Sequence, residues 1–457
     1  MDQKANKSNQ LERGLSNRHV QMIALGGAIG TGLFLASGES IHDAGPAILI
    51  SYLITGIICF WMMRAMGEMM MTDVSYGSFV DLIHKYWSHQ AGFVIGWAYW
   101  ASWIAIAMAE LTAIGIYIKL WLPGLPQWVP GLITLLILIC VNLITVKAFG
   151  EVEFWFALVK ILAIIVLILI GVFMMIFHFK TNAGYASPAN LISHGGFFPR
   201  GIQGVIISLP NVVFAFLGVE MVGMTAAETK DPHEVIPRAI NNIPVRILIF
   251  YIGALGVIMC IYPWFLLHAS SSPFVMVFKE TGIASAADII NFVVITAAAS
   301  SCNSALFTTG RMLSELTAKS KSKRVRWFSK ISSHAVPSHA IMVSAALILI
   351  SVLLNYFIPS AVFSLISGIA TTSFLFIWGS IVIAHLKFRK QYHGKLEFTM
   401  PLYPISDYIV LVFFAIVGVT MLIKHTTMIS LFADLAWFAI LVILSFWHKE
   451  VPAKEGK

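Results

Sequence analysis

The feature that most constrains this chain is an apolar run, residues 20 to 38, with a glycine cluster at its centre: Gly26-Gly27-Ala28-Ile29-Gly30-Thr31-Gly32. A run of this kind spans a bilayer, which takes roughly 20 residues of helix. Glycine weakens a helix interior by about 1 kcal/mol relative to alanine, so the middle of the run is disposed to unwind. Backbone that unwinds at membrane depth needs protein or a watery cavity to satisfy its polar groups. One use of such a break is to turn freed N–H groups onto an anion, such as a carboxylate at the N-terminus of a half-helix. Close helix packing is the other use of the same residues, because Gly26 and Gly30 stand at GxxxG spacing.

The remainder of the chain is of the same kind. Of its 457 residues 58% are hydrophobic and only 11% charged, with a mean hydropathy of +0.83, which excludes an ordinary soluble protein. Apolar runs fall near residues 20–38, 45–66, 91–118, 128–146, 154–177, 202–224, 244–267, 285–310, 338–357, 360–385, 402–423 and 428–447. They predict an all-α polytopic membrane protein of about twelve spans. The stretch from Met66 to Gln90 reads as an interfacial helix. The charged arm before the first run lacks a small-residue cleavage site, so that run is expected to be retained as a span and not removed as a signal peptide.

The net charge of +8 is explained by topology. With the N-terminus in the cytoplasm, the basic loops 311–330 and 387–395 and both termini fall inside. Only Lys119, Lys180, Arg200, Lys279 and Lys424 fall outside. This asymmetry follows the positive-inside rule and leaves no nucleic-acid surface to account for. Cys59, Cys140, Cys260 and Cys302 all lie in apolar runs without metal-ligand spacing, and are expected to be free thiols. The chain carries no HExxH, no Asp-rich metal pair and no Cys/His set, so neither an enzyme nor a metal or cofactor is expected.

The sixth run repeats the oddity of the first. Phe214-Ala215-Phe216-Leu217-Gly218-Val219-Glu220 holds a glycine and a carboxylate in mid-run, after Pro210, which has no N–H to give a helix. Interruptions at runs one and six imply two units of five spans, and an odd number per unit sends the second in from the opposite face. Paired broken helices in such inverted repeats mark a substrate site near the midplane. The expected divisions are a cytoplasmic arm at 1–19, repeats at 20–200 and 201–390, two additional transmembrane helices at 391–447, and a cytoplasmic tail at 448–457.

Several motifs carry a family resemblance. They are Arg18-His19 leading into the glycine cluster, Arg64-Ala65-Met66-Gly67-Glu68, Met108-Ala109-Glu110-Leu111-Thr112, Phe149-Gly150-Glu151 with Glu153-Phe154-Trp155-Phe156, and Glu228-Thr229-Lys230-Asp231-Pro232 with Ile236-Pro237-Arg238-Ala239. Ser300-Ser301-Cys302-Asn303-Ser304 with Arg311-Met312-Leu313 completes the set. Together they resemble the amino acid/polyamine/organocation permeases, in the bacterial amino acid transporter branch, from Leu15 to about Lys390. The resemblance implies two inverted five-helix repeats plus two helices, in a bacterial cell membrane, importing amino acids with a proton as coupling ion. It implies that Ile29, Thr31 and Gly32 hold the substrate carboxylate, and that the carbonyls of Ala28, Phe214 and Leu217 accept from its ammonium. Phe214 also matches the aromatic residue that closes over the substrate. Residues 146–164 and 225–247 look most like members that carry glycine, D-alanine and D-serine. Another neutral, aromatic or histidine-like substrate, or a nutrient sensor on the same fold, remains the alternative, and the resemblance leaves monomer or dimer open.

Three ionisable residues stand inside the runs, where charge is expensive and therefore points to function. Lys160 lies among Ala157, Leu158, Val159, Ile161 and Leu162, surroundings that allow an ammonium to give up its proton. The resemblance places it where sodium-coupled relatives hold an ion. A fixed ion pair is the other reading of Lys160. Glu110 either relays protons or anchors helix packing. Glu220 is expected to cap or brace the unwound backbone of the first run. Asn303, with Ser300, Ser301 and Ser304, reads as interhelical glue. Trp97, Trp100 and Trp103 suit a membrane-interface belt or a substrate cage. Ser367 and Gly368 are candidates to line the path. Arg238 either meets Glu151 or Glu153 at an inner gate or simply obeys the positive-inside rule.

Overall fold

The computed structural model describes residues 29–72, 78–144, 146–225, 232–268, 271–280, 284–318, 320–332 and 336–447. The chain enters α1 (Ser37–Ala44) through a π-helical turn, Gly32–Ala36, and continues as α2 (Ile48–Thr72), α3 (His89–Ile118), α4 (Trp128–Ile144) and α5 (Val146–Ile176). After α6 (Gly201–Phe214) come α7 (Pro232–Ile261), α8 (Ala284–Ala318), α9 (Ser338–Phe357), α10 (Val362–Gln391), α11 (Ile405–Thr420) and α12 (His425–Trp447). The pairing of β1 (Lys180–Thr181) with β2 (Gly184–Tyr185) is antiparallel, in the connection between α5 and α6.

The apolar runs fall mainly on helix, and the first and sixth are interrupted. Among the described residues eight helical stretches are long and apolar enough to cross a membrane, with α1 and α2 counted as one stretch of 41 residues. α4, α6 and α11 are shorter apolar helices. Gly45 turns the chain between α1 and α2 at a φ of 63°, a left-handed conformation that suits a residue without a Cβ, and Pro46 follows it.

Burial separates centre from rim. In α3 and α10 the most apolar window is 78% buried, against 28% in α5 and α12. α3 packs along both α8 and α10. The outward faces of α5 and α12 present Leu169, Phe173, Ile176, Phe432 and Ile443, an apolar surface suited to lipid chains.

The stretch read as an interfacial helix divides in two. α2 continues to Thr72, and a short helix, Phe79–Tyr86, follows. Ser78 caps it by accepting from the Asp81 N–H at 3.4 Å. Phe79, Leu82, Ile83 and Tyr86 form one buried face at helical spacing.

The two additional helices are tied to the core by buried charge. Glu68 of α2 accepts from the Met400 N–H at 2.6 Å and from Arg389 Nη2 at 3.0 Å. His385 of α10 stands between Glu68 at 3.3 Å and Asp407 of α11 at 3.0 Å. At the opposite end Lys424 meets Glu39 at 2.7 Å and Asp43 at 2.6 Å, joining the α11–α12 turn to α1.

Candidate functional site

Both anticipated interruptions have irregular backbone where they are described. In the first run Ile29 and Gly30 are not helical, helix begins at Thr31, and the N–H groups of Leu33 and Phe34 both donate to the Gly30 carbonyl at 3.2 and 3.3 Å. Ala28, expected to offer a carbonyl to the substrate, lies outside the described residues. In the sixth run α6 ends at Phe214, residues 215–220 run as turns, and a short helix, Met221–Thr225, takes over.

The two interruptions touch through backbone. A Cβ on Gly32 would stand 2.9 Å from the Ala215 nitrogen and 3.0 Å from the Phe214 carbonyl oxygen, an approach that only glycine permits. Gly30 is also confined, with Glu110 Oε1 2.6 Å and Ser301 Oγ 3.1 Å from where its Cβ would lie. Between the breaks is a small pocket lined by Gly30, Gly32, Trp103, Glu110, Phe214 and Leu217, among others. The Phe214 ring meets Phe363 edge-on at 6.0 Å. Of the six residues expected to hold substrate, Gly32, Phe214 and Leu217 line this pocket, while Ile29 and Thr31 flank it along the chain.

The donors at the first break face charged side chains of the protein itself. The Thr31 N–H donates to Glu110 Oε1 at 3.3 Å, so a carboxylate from α3 sits at the start of this half-helix. Freed N–H groups and the helix dipole favour an anion at that place. Among the described residues Glu110 Oε2 and Thr31 Oγ1 are both buried with no hydrogen-bond partner, which leaves polar capacity beside the pocket. The Ile29 carbonyl accepts from Lys160 Nζ at 3.1 Å. Lys160, fully buried in α5, thus grips the backbone of the break directly, and Glu153 and Glu110 are the carboxylates within electrostatic reach of it.

Glu220 differs from expectation. Among the described residues it braces the sixth run: the Gly218 N–H donates to its Oε2 at 3.1 Å. Tyr99 Oη donates to Oε1 at 3.1 Å and Trp378 Nε1 to Oε2 at 3.3 Å. Gly218 carries a φ of 95°, and its own carboxylate neighbour two residues on is best placed to satisfy the N–H that this turn exposes. Tyr251 holds the same segment by donating to the Ala215 carbonyl at 2.9 Å and stacking on Phe216 at 4.8 Å. These aromatic partners come from α3, α7 and α10, far off in sequence.

Other residues are placed as follows. Asn303 accepts from Asn142 Nδ2 at 2.8 Å, joining α8 to α4. Ser300 does more than bridge helices, since it accepts from Lys160 Nζ at 2.9 Å and donates to Glu153 Oε1 at 2.7 Å. Trp103 is buried on the pocket wall, and Trp100 is buried and donates to Ser344 at 3.2 Å, so both side chains face protein. Gly368 lets α10 close on Ser430 of α12, and the Ser367 hydroxyl donates to its own helix at 3.3 Å, so both serve packing. Arg238 pairs with Glu234 at 2.7 Å on the surface, while Glu153 is fully buried and bonded elsewhere.

Comparison with known proteins agrees with this architecture. The family model described as amino acid permease matches residues 19–455. A transporter of Bacillus subtilis (strain 168), YdgF, is 54% identical over 437 residues, 95% of each chain. The D-serine/D-alanine/glycine transporter of Escherichia coli (strain K12) is 43% identical over 446 residues, covering 96% of this chain and 94% of its own. The aromatic amino acid transport protein AroP of Escherichia coli O6:H1 (strain CFT073) is 42% identical over 452 residues, 98% of each. With a match across almost its whole length and two interrupted helices meeting at its centre, this chain belongs to the amino acid permease family.

Proposed function

We propose that this protein imports a small neutral amino acid by proton symport, with both termini in the cytoplasm. The observation that carries the reading is the bond from Lys160 to the Ile29 carbonyl. A titratable ammonium there ties the protonation state of α5 to the shape of the first break. The amino acid is held as a zwitterion, its carboxylate on the Thr31 and Gly32 N–H groups and its ammonium on carbonyls of Phe214 and Leu217. A substrate carboxylate arriving at the Thr31 N–H meets Glu110, and two carboxylates on one donor group demand a proton between them. This couples substrate binding to proton uptake on Glu110 or Lys160.

A neutral side chain is supported by the pocket lining, where Glu110 is the charged residue and is engaged with Thr31. A small one is supported by the tight pocket and by the 43% identical Escherichia coli relative, a D-serine/D-alanine/glycine transporter. An aromatic substrate is the second reading, supported by the similarity to AroP and by Trp103 and Phe214 in the wall. The orientation is supported by the excess of Lys and Arg on one side of the membrane.

Proteoliposomes test all of this together. Under an inward proton gradient they are expected to accumulate labelled glycine, alanine or serine, with D-isomers competing, and to accumulate none of them under a sodium gradient alone. Uptake driven only by sodium would overturn the role of Lys160, uptake of aromatic amino acids alone would favour the second reading, and binding without exchange would indicate a sensor.

A further inference from the structure

Glu153 is a buried carboxylate that the transport scheme above does not use. It lies two helical turns before Lys160 on α5, so both side chains share one face of that helix. Ser300 of α8 stands between them, accepting from Lys160 Nζ at 2.9 Å and donating to Glu153 Oε1 at 2.7 Å. All three side chains have no exposure. The donors and acceptors run in one direction: ammonium, hydroxyl, carboxylate.

We propose that Glu153 receives the transported proton from Lys160 through the Ser300 hydroxyl and releases it toward the cytoplasmic ends of α4, α5 and α8. The proton then leaves by a route separate from that of the amino acid. The inference rests on the proton-coupled reading given above.

The transfer balances without any further reactant. A proton of the Lys160 ammonium moves to Ser300 Oγ as the Ser300 hydroxyl proton moves to Glu153 Oε1. Lys160 becomes a neutral amine, Glu153 a neutral carboxylic acid, and Ser300 is unchanged. The step converts a buried opposite-charge pair into two neutral groups, so no isolated charge is left in the protein interior. Lys160 is the charged group acting on Glu153, and Asn303 and Ser304 lie beside it.

Two amide side chains, Asn303 and then Asn142, continue from Glu153 in the same direction, toward a small cavity with an otherwise largely apolar wall. Asn303 Oδ1 accepts from Asn142 Nδ2 at 2.8 Å, and Asn142 lines a small cavity with Phe149, Phe307, Arg311 and Ile341. That cavity lies at the end of α8 carrying the basic 311–330 loop, the side assigned to the cytoplasm. None of its lining residues belongs to the substrate pocket. Consecutive serines divide the two routes, for Ser301 lines the substrate pocket and Ser300 serves Lys160 and Glu153.

The test uses the full chain in proteoliposomes with a pH-sensitive dye in the lumen and labelled glycine, alanine and serine outside. With Glu153→Gln, substrate-driven acidification of the lumen and uphill accumulation are expected to fall about 100-fold, the scale of losing a proton-transfer group. Exchange of internal for external amino acid should persist, because a loaded carrier can shuttle both ways without releasing its proton. Glu153→Asp should recover part of the acidification, Ser300→Ala should lose it, and Ser300→Thr should keep it. Acidification by Glu153→Gln at the wild-type rate would overturn the proposal while leaving proton symport intact. Equal loss of exchange and acidification in both Glu153→Gln and Glu153→Asp would make Glu153 a structural brace and overturn it as well. A wild-type protein that transports without acidifying the lumen would remove proton symport itself, and the relay with it.

Discussion

Lys160→Met is expected to abolish proton-driven accumulation, lowering uphill uptake about 100-fold or to the level of empty liposomes. Methionine keeps most of the lysine volume and removes its charge and its donors. The Ile29 carbonyl and Ser300 each lose a hydrogen-bond donor, and Glu153 loses its cationic neighbour. A buried carboxylate stripped of its cation carries a penalty of several kcal/mol unless it takes up a proton itself. The measurement is uptake against a concentration gradient, with and without an imposed proton gradient. Full uphill uptake by Lys160→Met would reject the coupling role and leave Lys160 as a fixed structural pair.

Gly32→Ala is expected to have the second largest effect. The added methyl would meet the backbone of Ala215 and the Phe214 carbonyl, and backbone in contact with backbone has nowhere to yield. Overpacking of this kind costs about 1–3 kcal/mol, which appears as a roughly 5- to 150-fold loss in transport at limiting substrate. Gly30→Ala provides a graded comparison, because the atoms it would meet belong to the Glu110 and Ser301 side chains, which can shift. Gly418→Ala provides the control, since nothing lies within 4 Å of its Cβ position. Initial rates of labelled uptake at matched protein levels should rank Gly418→Ala, Gly30→Ala and Gly32→Ala in descending order. If Gly32→Ala transports as well as Gly418→Ala, the close approach of the two breaks has no part in function.

Much of this architecture can be read from the chain, for physical reasons. Apolar runs of spanning length announce helices because no other single segment satisfies its own backbone in lipid. Gly30, Gly32 and Gly218 announce irregular backbone because glycine is the residue that tolerates it, and Pro210 adds a missing donor. Lys160 and Glu110 draw notice because a charge in an apolar run is costly. What the chain conceals is partnership. Nothing in the sequence of Glu220 says that Tyr99, Trp378 and Gly218 will all donate to it. The joining of Glu68, His385 and Asp407 is hidden in the same way, since three separate helices supply them. Glu153 is the instructive case. Its seven-residue spacing from Lys160 puts both on one helix face and is visible in the sequence, but read from the sequence Glu153 is only one of two possible inner-gate partners for Arg238. Burial decided otherwise.

The most direct test of the central claim is competition against labelled alanine in counterflow by analogues that each lack one end of the zwitterion. Each charge-assisted hydrogen bond to the broken helices contributes about 1.5–3 kcal/mol, so alanine amide, without the carboxylate, and propionate, without the ammonium, should each compete roughly 10- to 100-fold more weakly than alanine. Competition by either analogue as strong as that of alanine itself would contradict the account, because one of the two interrupted helices would then have no substrate group to hold.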